Sequence, residues 1–214
     1  MKVKDIIKLS ARLLCENDIV DCIKYCEENE MTLTEFFALK TQTALPTSED
    51  YIEIPECFTL QAEKDMRIIL DCINIANLYI CTEKYLRYST EEIEITNGEY
   101  EIKNLSQKLF KIKQLSNNYG FVKYYLEAGK IILPNGKYTI KYAYLPTELG
   151  FDDDIDTYNG KLTNLALSYG VCSKFCLIKN LFDEADEWES KFSSSLAENF
   201  RKVGEIKIKQ RRWI

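Results

Sequence analysis

Residues 161–178, KLTNLALSYGVCSKFCLI, constrain this chain more than any other stretch. Helical spacing puts Leu162, Leu165, Ala166, Tyr169, Cys172 and Cys176 along one face, while Leu167, Val171, Phe175 and Ile178 cover much of the other. A helix that is apolar on every side has to be buried on every side. One cover follows directly after a break near Lys179-Asn180. From Phe182 to Val203, the side chains Phe182, Ala185, Trp188, Phe192, Leu196, Phe200 and Val203 recur at steps of three and four with charges between them, which is an amphipathic helix. The opposite face needs a second surface, taken either from the chain upstream or from another copy of the chain. Val171, Phe175 and Ile178 are therefore candidate interface residues.

Upstream, Val3 to Leu14 has helical periodicity, Asn17-Asp18 offers an N-cap for a second helix to about Cys26, and Met31 to Leu39 is a third, capped by Thr32 or Thr34. Residues 1–45 thus form an N-terminal helical arm. Leu45-Pro46-Thr47-Ser48 breaks helix, and Tyr51-Ile52-Glu53-Ile54-Pro55 is a short extended piece ended by proline. Leu60 to about Arg87 is the longest helix, with a stripe of Met66, Ile69, Ile73, Ala76 and Ile80 wide enough to join a bundle with the 161–203 hairpin.

Beyond it the apolar period changes from 3.6 to 2. Ile93 to Lys103 contains Asn97-Gly98, the preferred two-residue type I′ turn, and short strands follow at 109–115, 121–126, 130–133 and 138–145. The expected fold is α+β: a helical bundle (58–88 and 155–203) with an inserted small antiparallel sandwich or barrel (90–150), the helical arm, and an extended tail (204–214).

Pro146 to Asn159 leads back to helix and carries Asp152, Asp153, Asp154 and Asp156. Their spacing fails as a calcium loop, because Thr157 and Thr163 stand where glycine and glutamate are required. A solvated acidic linker that also caps the next helix is the expectation. In the tail, Ile206 and Ile208 alternate with Lys207 and Lys209, ahead of Arg211, Arg212, Trp213 and Ile214. These four are candidate interface residues, through edge pairing with the sheet or another subunit. The alternative is a strand folded onto its own domain.

The chain has 214 residues, 46% hydrophobic and 29% charged, enough for a real core. Its net charge of −6 argues against gripping a phosphate backbone as its main work. The charged start does not read as a signal peptide and no run reaches membrane-spanning length, so folding in the cytosol is expected. Eight cysteines occur without a CxxC pair and without any histidine, which leaves them as reduced core thiols and removes the commonest metal ligand and acid-base group. No phosphate-binding glycine loop, nucleophile elbow or zinc-protease motif is present. No catalytic residue, metal or cofactor is expected, and the chain reads as a structural or interaction protein.

The order of elements resembles a known family. A helix bearing Leu70-Asp-Cys-Ile-Asn-Ile-Ala-Asn-Leu-Tyr79 precedes a small β-domain whose last strand is Tyr138-Thr-Ile-Lys-Tyr-Ala-Tyr-Leu-Pro146. The acidic Asp-Asp-Ile-Asp linker follows, then Leu165 to Cys176 and Glu184 to Phe192. Over roughly Leu60 to Val203 this is similar to the head-to-tail adaptor and ring proteins of tailed bacteriophages, among them the tail-tubular or gatekeeper-type adaptors of short-tailed phages and the ring proteins of crAss-like phages. The resemblance implies a virion protein of the neck or tail, assembled in the host cytoplasm. It would form a homo-oligomeric, twelve-fold ring below the portal protein, in contact with other neck or tail proteins and with no membrane. DNA would pass through its channel without specific binding, which suits an acidic protein. The helical arm and the basic tail have no counterpart in that pattern. The alternative reading is a cytosolic regulatory module that binds another protein without catalysis.

Overall fold

The structure is a computed structural model that describes residues 1–43 and 58–200, with the side chains of 39–43 left aside. The break at Leu45-Ser48, the extended piece Tyr51–Pro55, and the tail Glu205–Ile214 with Arg211, Arg212, Trp213 and Ile214 fall outside the described residues. Within them the fold is mixed helix and sheet, with six α-helices and two antiparallel sheets that do not close into a barrel.

Three helices come first: α1 (Val3–Leu13), α2 (Asn17–Glu28) and α3 (Leu33–Thr43). Then α4 (Leu60–Tyr79) ends in a π turn over Ile80–Lys84, and the chain enters the sheets. The last two helices, α5 (Asn164–Ile178) and α6 (Phe182–Asn199), form the expected hairpin. The first sheet contains β1 (Arg87–Ile95), β3 (Leu109–Asn117), β4 (Gly120–Phe121) and β7 (Gly136–Tyr144) in the order β1-β7-β3-β4. The second contains β2 (Glu99–Glu101), β5 (Tyr125–Glu127) and β6 (Lys130–Ile132) in the order β2-β6-β5.

The question posed by α5 is answered inside the chain. It packs on α6 along one side and on α1 and α4 along the others. In α1 the apolar spacing of Val3, Ile6, Ile7 and Ala11 makes a stripe that is wholly buried. Burial of an aliphatic side chain contributes roughly 1.5–3 kcal/mol, so Val3, Ile6 and Ile7 together account for about 5–9 kcal/mol before chain entropy is charged against them. That is comparable to the whole net stability of a typical domain, about 5–15 kcal/mol. Residues 1–38 are therefore part of the main core, which runs continuously from Val3 to Leu196, and not a separate arm.

Helix ends show why the hairpin turns where it does. Asn180 is left-handed (φ 62°), the Leu181 amide donates to the Cys176 carbonyl (2.9 Å), and the Asn180 amide donates to the Leu177 carbonyl (3.1 Å), which together form a Schellman motif. The same pair of bonds closes α1, with Cys15 at φ 61°, and α2, with Glu30 at φ 52°. Glycine ordinarily occupies this position, and none of the three is glycine. Thr32 and Glu35 form a reciprocal capping box at the start of α3, and Thr163 caps α5 through the Ala166 amide (3.1 Å).

Three sequence expectations change here. The long helix stops at Lys84, and the strand after it begins at Arg87, before the period-2 stretch was expected to start. Asn97 and Gly98 both have positive φ, as a type I′ turn demands, but only Thr96 and Glu99 pair across it. Instead β1 pairs along its whole length with β7, and β2 leaves to pair with β6. The two sheets share a core of Ile93, Ile95, Ile112, Leu115, Ile131 and Ile140, separate from the helical one.

Candidate interaction surfaces

The acidic linker is occupied by structural work. The Asp152 carboxylate accepts from the Leu33 and Thr34 amides (3.2 Å each) and from the Thr34 hydroxyl (2.5 Å), so it caps α3, a helix 118 residues away, and not the helix that follows it. The Asp153 carbonyl accepts from the Val3 amide (3.0 Å), and the Ile155 amide donates to the Met1 carbonyl (2.7 Å). Asp156 accepts from Arg87 (3.1 Å) and from the Tyr158 amide (2.7 Å). Among the described residues no group of three His, Cys, Asp or Glu is arranged to hold a metal ion.

A second polar cluster fastens the sheets to the helices. Tyr158, Asn159 and Gly160 are left-handed in succession (φ 52°, 60° and 75°), a conformation that costs a non-glycine residue roughly 1–2 kcal/mol. The surroundings hold it there. The Tyr158 hydroxyl donates to Asn77 Oδ1 (2.5 Å) in a buried setting, and Asn159 Nδ2 donates to the Tyr85 hydroxyl (2.7 Å). Arg87 lies over the rings of Tyr144 (5.2 Å) and Tyr158 (5.5 Å), with Asp156 as its ion-pair partner. Burial pushes the Tyr158 hydroxyl well above the usual tyrosine range, so it remains a neutral donor. This arrangement ties the ends of β1 and β7 to α4 through the 156–160 segment.

The core thiols are unsuited to nucleophilic work, because burial pushes both Cys72 and Cys172 up to about 12, and a protonated thiol is not a nucleophile. Burial also raises Cys176. Among the described cysteines Cys15 is the exposed one.

Two clusters of large apolar side chains face solvent. At the hairpin corner, Leu177, Ile178, Leu181 and Phe182 are all exposed, Phe182 by 61%. The corner is anchored from beneath: Lys179 Nζ reaches the buried Asp65 carboxylate (2.6 Å), which also accepts from Gln61 (2.8 Å). Exposed apolar side chains here are thus held in place by a fixed backbone. The other lies at the β3–β4 turn, where Tyr119 is 98% exposed and Phe121 82%; the exposed Tyr125 and Leu126 that follow belong to β5 of the second sheet and point to its opposite faces. Phe121 pairs with Ser116 and Ser116 with Thr139, which puts Phe121 on the sheet face opposite the core. On that same outer face Lys113 and Lys141 lie over the Tyr88 ring, at 4.5 Å and 5.9 Å.

Of the interface residues expected from sequence, Val171 and Phe175 are 0% and 2% exposed, buried among α1, α4 and α6, and cannot meet another copy; Ile178 is 49% exposed and belongs to the hairpin-corner cluster. The sheet cluster was not anticipated. Its only sequence signal is the run Tyr119, Phe121, Tyr124, Tyr125 and Leu126 in a segment too short to bury them all. No described helix is long and apolar enough to cross a membrane. Searches against known families and curated proteins found that no family model and no curated protein matches this chain.

Proposed function

We propose that the protein is a non-catalytic structural component of a tailed-phage virion, a head-to-tail adaptor that forms a homo-oligomeric ring, twelve-fold as the family resemblance implies, around the DNA channel below the portal. In this reading the six helices act as a bundle, and the two sheets between α4 and α5 act as an inserted sandwich. The observation that carries it is the pair of exposed apolar clusters, one on the helical core and one on the sheet core. Contiguous apolar patches on a monomer's surface mark places where other molecules dock, and each copy in a ring needs two such places. The net charge of −6 supports the channel role, since an acidic wall lets DNA slide without holding its phosphates.

A second reading, a cytosolic regulatory module that binds another protein without catalysis, draws on β1, whose outer edge borders its sheet and offers unpaired backbone groups to an added strand. Mass measurement under native conditions separates the two. The purified protein, alone and mixed with the portal ring of the same virion, is expected to give a closed oligomer of about twelve copies, as the family resemblance implies. A protein that stays monomeric in both mixtures overturns the ring.

A further inference from the structure

Charge is segregated along this chain. Residues 87–147, which hold both sheets, contain nine lysine or arginine residues and six glutamates, a net charge of +3, which leaves the rest of the chain at −9 within the total of −6. The two exposed apolar clusters fall on opposite sides of that division. Around the sheet cluster, Lys123 stands two positions from Phe121, Lys113 is three positions along β3 from Ser116, the cross-strand neighbour of Phe121, and Lys137 and Lys141 share the outer face, so that lysines outnumber the two acids there, Glu92 and Glu94 of β1. Around the hairpin corner, α6 presents Asp183, Glu184, Asp186 and Glu187 to solvent, with Asp186 one turn beyond Phe182 on the same helix face. Among the described residues neither these lysines nor these acids form an ion pair within the chain.

Resting on the ring reading above, we infer that the two clusters are halves of one interface: the lysine-rimmed aromatic face around Phe121 of one copy docks on the acid-rimmed corner around Phe182 of the next. An apolar centre with a polar rim is the usual anatomy of a protein interface, and opposite rims fix the orientation in which the centres meet. Tyr119 and Phe121 at roughly 150–250 Å² each supply about half of the ~800 Å² that a standard interface takes from one partner. Because the two patches differ, the contact is head-to-tail, the kind that closes into a ring when the rotation between copies allows it. The occupant is another copy and not a nucleic acid, because the apolar corner with its acidic rim would otherwise be left uncovered.

Two charge-reversed variants test this, one with Lys113→Glu and Lys123→Glu, the other with Asp186→Lys and Glu187→Lys. All four side chains are exposed, and the melting midpoint serves as the folding control. By sedimentation equilibrium, each variant alone is expected to self-associate on the order of 100-fold more weakly than the unaltered protein. An equimolar mixture of the two is expected to restore assembly, since each then meets a rim of opposite sign. If charge reversal costs folding, Phe121→Ser must weaken the same association at least tenfold. Assembly of either variant at full strength, or a mixture that stays dissociated, overturns the pairing while leaving the ring intact. An unaltered protein that is monomeric alone and on the portal removes the ring itself. Monomers that bind oligothymidylate, and lose that binding with Lys113→Glu and Lys123→Glu, would assign the sheet to single-stranded nucleic acid and also overturn the pairing.

Discussion

Replacing Gly170 by alanine sets two opposing effects against each other at one atom. Gly170 lies in the middle of α5, where a glycine costs about 0.5–1 kcal/mol relative to alanine through backbone entropy. On propensity alone the substitution stabilises. An added Cβ, however, would stand 2.8 Å from Phe192 Cζ, 2.9 Å from Cε2 and 3.0 Å from Cε1, closer than carbon atoms approach without repulsion. Phe192 is buried and cannot swing into solvent. Overpacking of this sort costs about 1–3 kcal/mol, so the net expectation is a loss of about 1–2 kcal/mol, or roughly 2–8 °C in Tm for a chain of this size. Urea unfolding should show a lower midpoint at an unchanged m-value. Pairing Gly170→Ala with Phe192→Leu makes the test specific, because the smaller residue leaves room for the methyl group. The double variant should lose less than the sum of the singles by about 0.5 kcal/mol or more. A Gly170→Ala protein that is more stable than the parent, or a strictly additive cycle, refutes the close-approach argument.

The Schellman positions make the opposite prediction: Cys15→Gly and Glu30→Gly relieve left-handed strain at C′ and should each raise stability by about 0.5–1 kcal/mol in urea unfolding, with a smaller gain for Asn180→Gly because asparagine tolerates that conformation better. Asp152→Ala removes the long-range cap of α3 while leaving its Thr32–Glu35 box, and should cost about 0.5–1 kcal/mol, with faster amide exchange at Leu33 and Thr34 as its local signature. For Cys72 and Cys172, burial raises the folded-state values to about 12 from an ordinary 9.0, so their contribution is complete below pH 9 and is lost as pH rises toward 12. At pH 10 the loss is about 1.4 kcal/mol per thiol. Urea midpoints at pH 7.5 and pH 10 should show it, and Cys172→Ala, although less stable at neutral pH, should show a shallower fall.

What could be read from sequence, and what could not, divides by range. The apolar-all-round character of 161–178 required covers on all sides, and the 3.6-residue stripe that starts at Phe182 supplied one of them, α6 (Phe182–Asn199). Periodicity says which face is buried but not by what, and for that reason the sequence leaves Val171 and Phe175 open to another copy, whereas in the fold they are buried where α5 packs on the chain's own helices. The same limit explains the strands. Asn97-Gly98 names its own turn type from two residues, but the partner of β1 is β7, more than 40 residues on, and only the assembled sheet selects it. Asp152 shows the limit most plainly. An aspartate ahead of a helix looks like that helix's cap, whereas the helix it caps lies 118 residues earlier in the chain. Of the two exposed clusters, the one at the hairpin corner was partly legible through Ile178. The one around Phe121 depended on a face assignment that needed the register of β3 and β4.

The burial of α1 against α5 has a consequence for synthesis. Val3, Ile6 and Ile7 leave the ribosome long before the helix that covers them, which begins only at Asn164, and the carbonyl of Met1 waits for the amide of Ile155. At about 5–20 residues per second, those side chains spend on the order of 10–30 s without their final partner. The sheet pairs of residues 87–144 can form during that interval, since all their partners lie within the segment. Nascent chains of this protein therefore present the apolar stripe of α1 to the cell's chaperones until α5 has been made, and the helical core closes as one event after it.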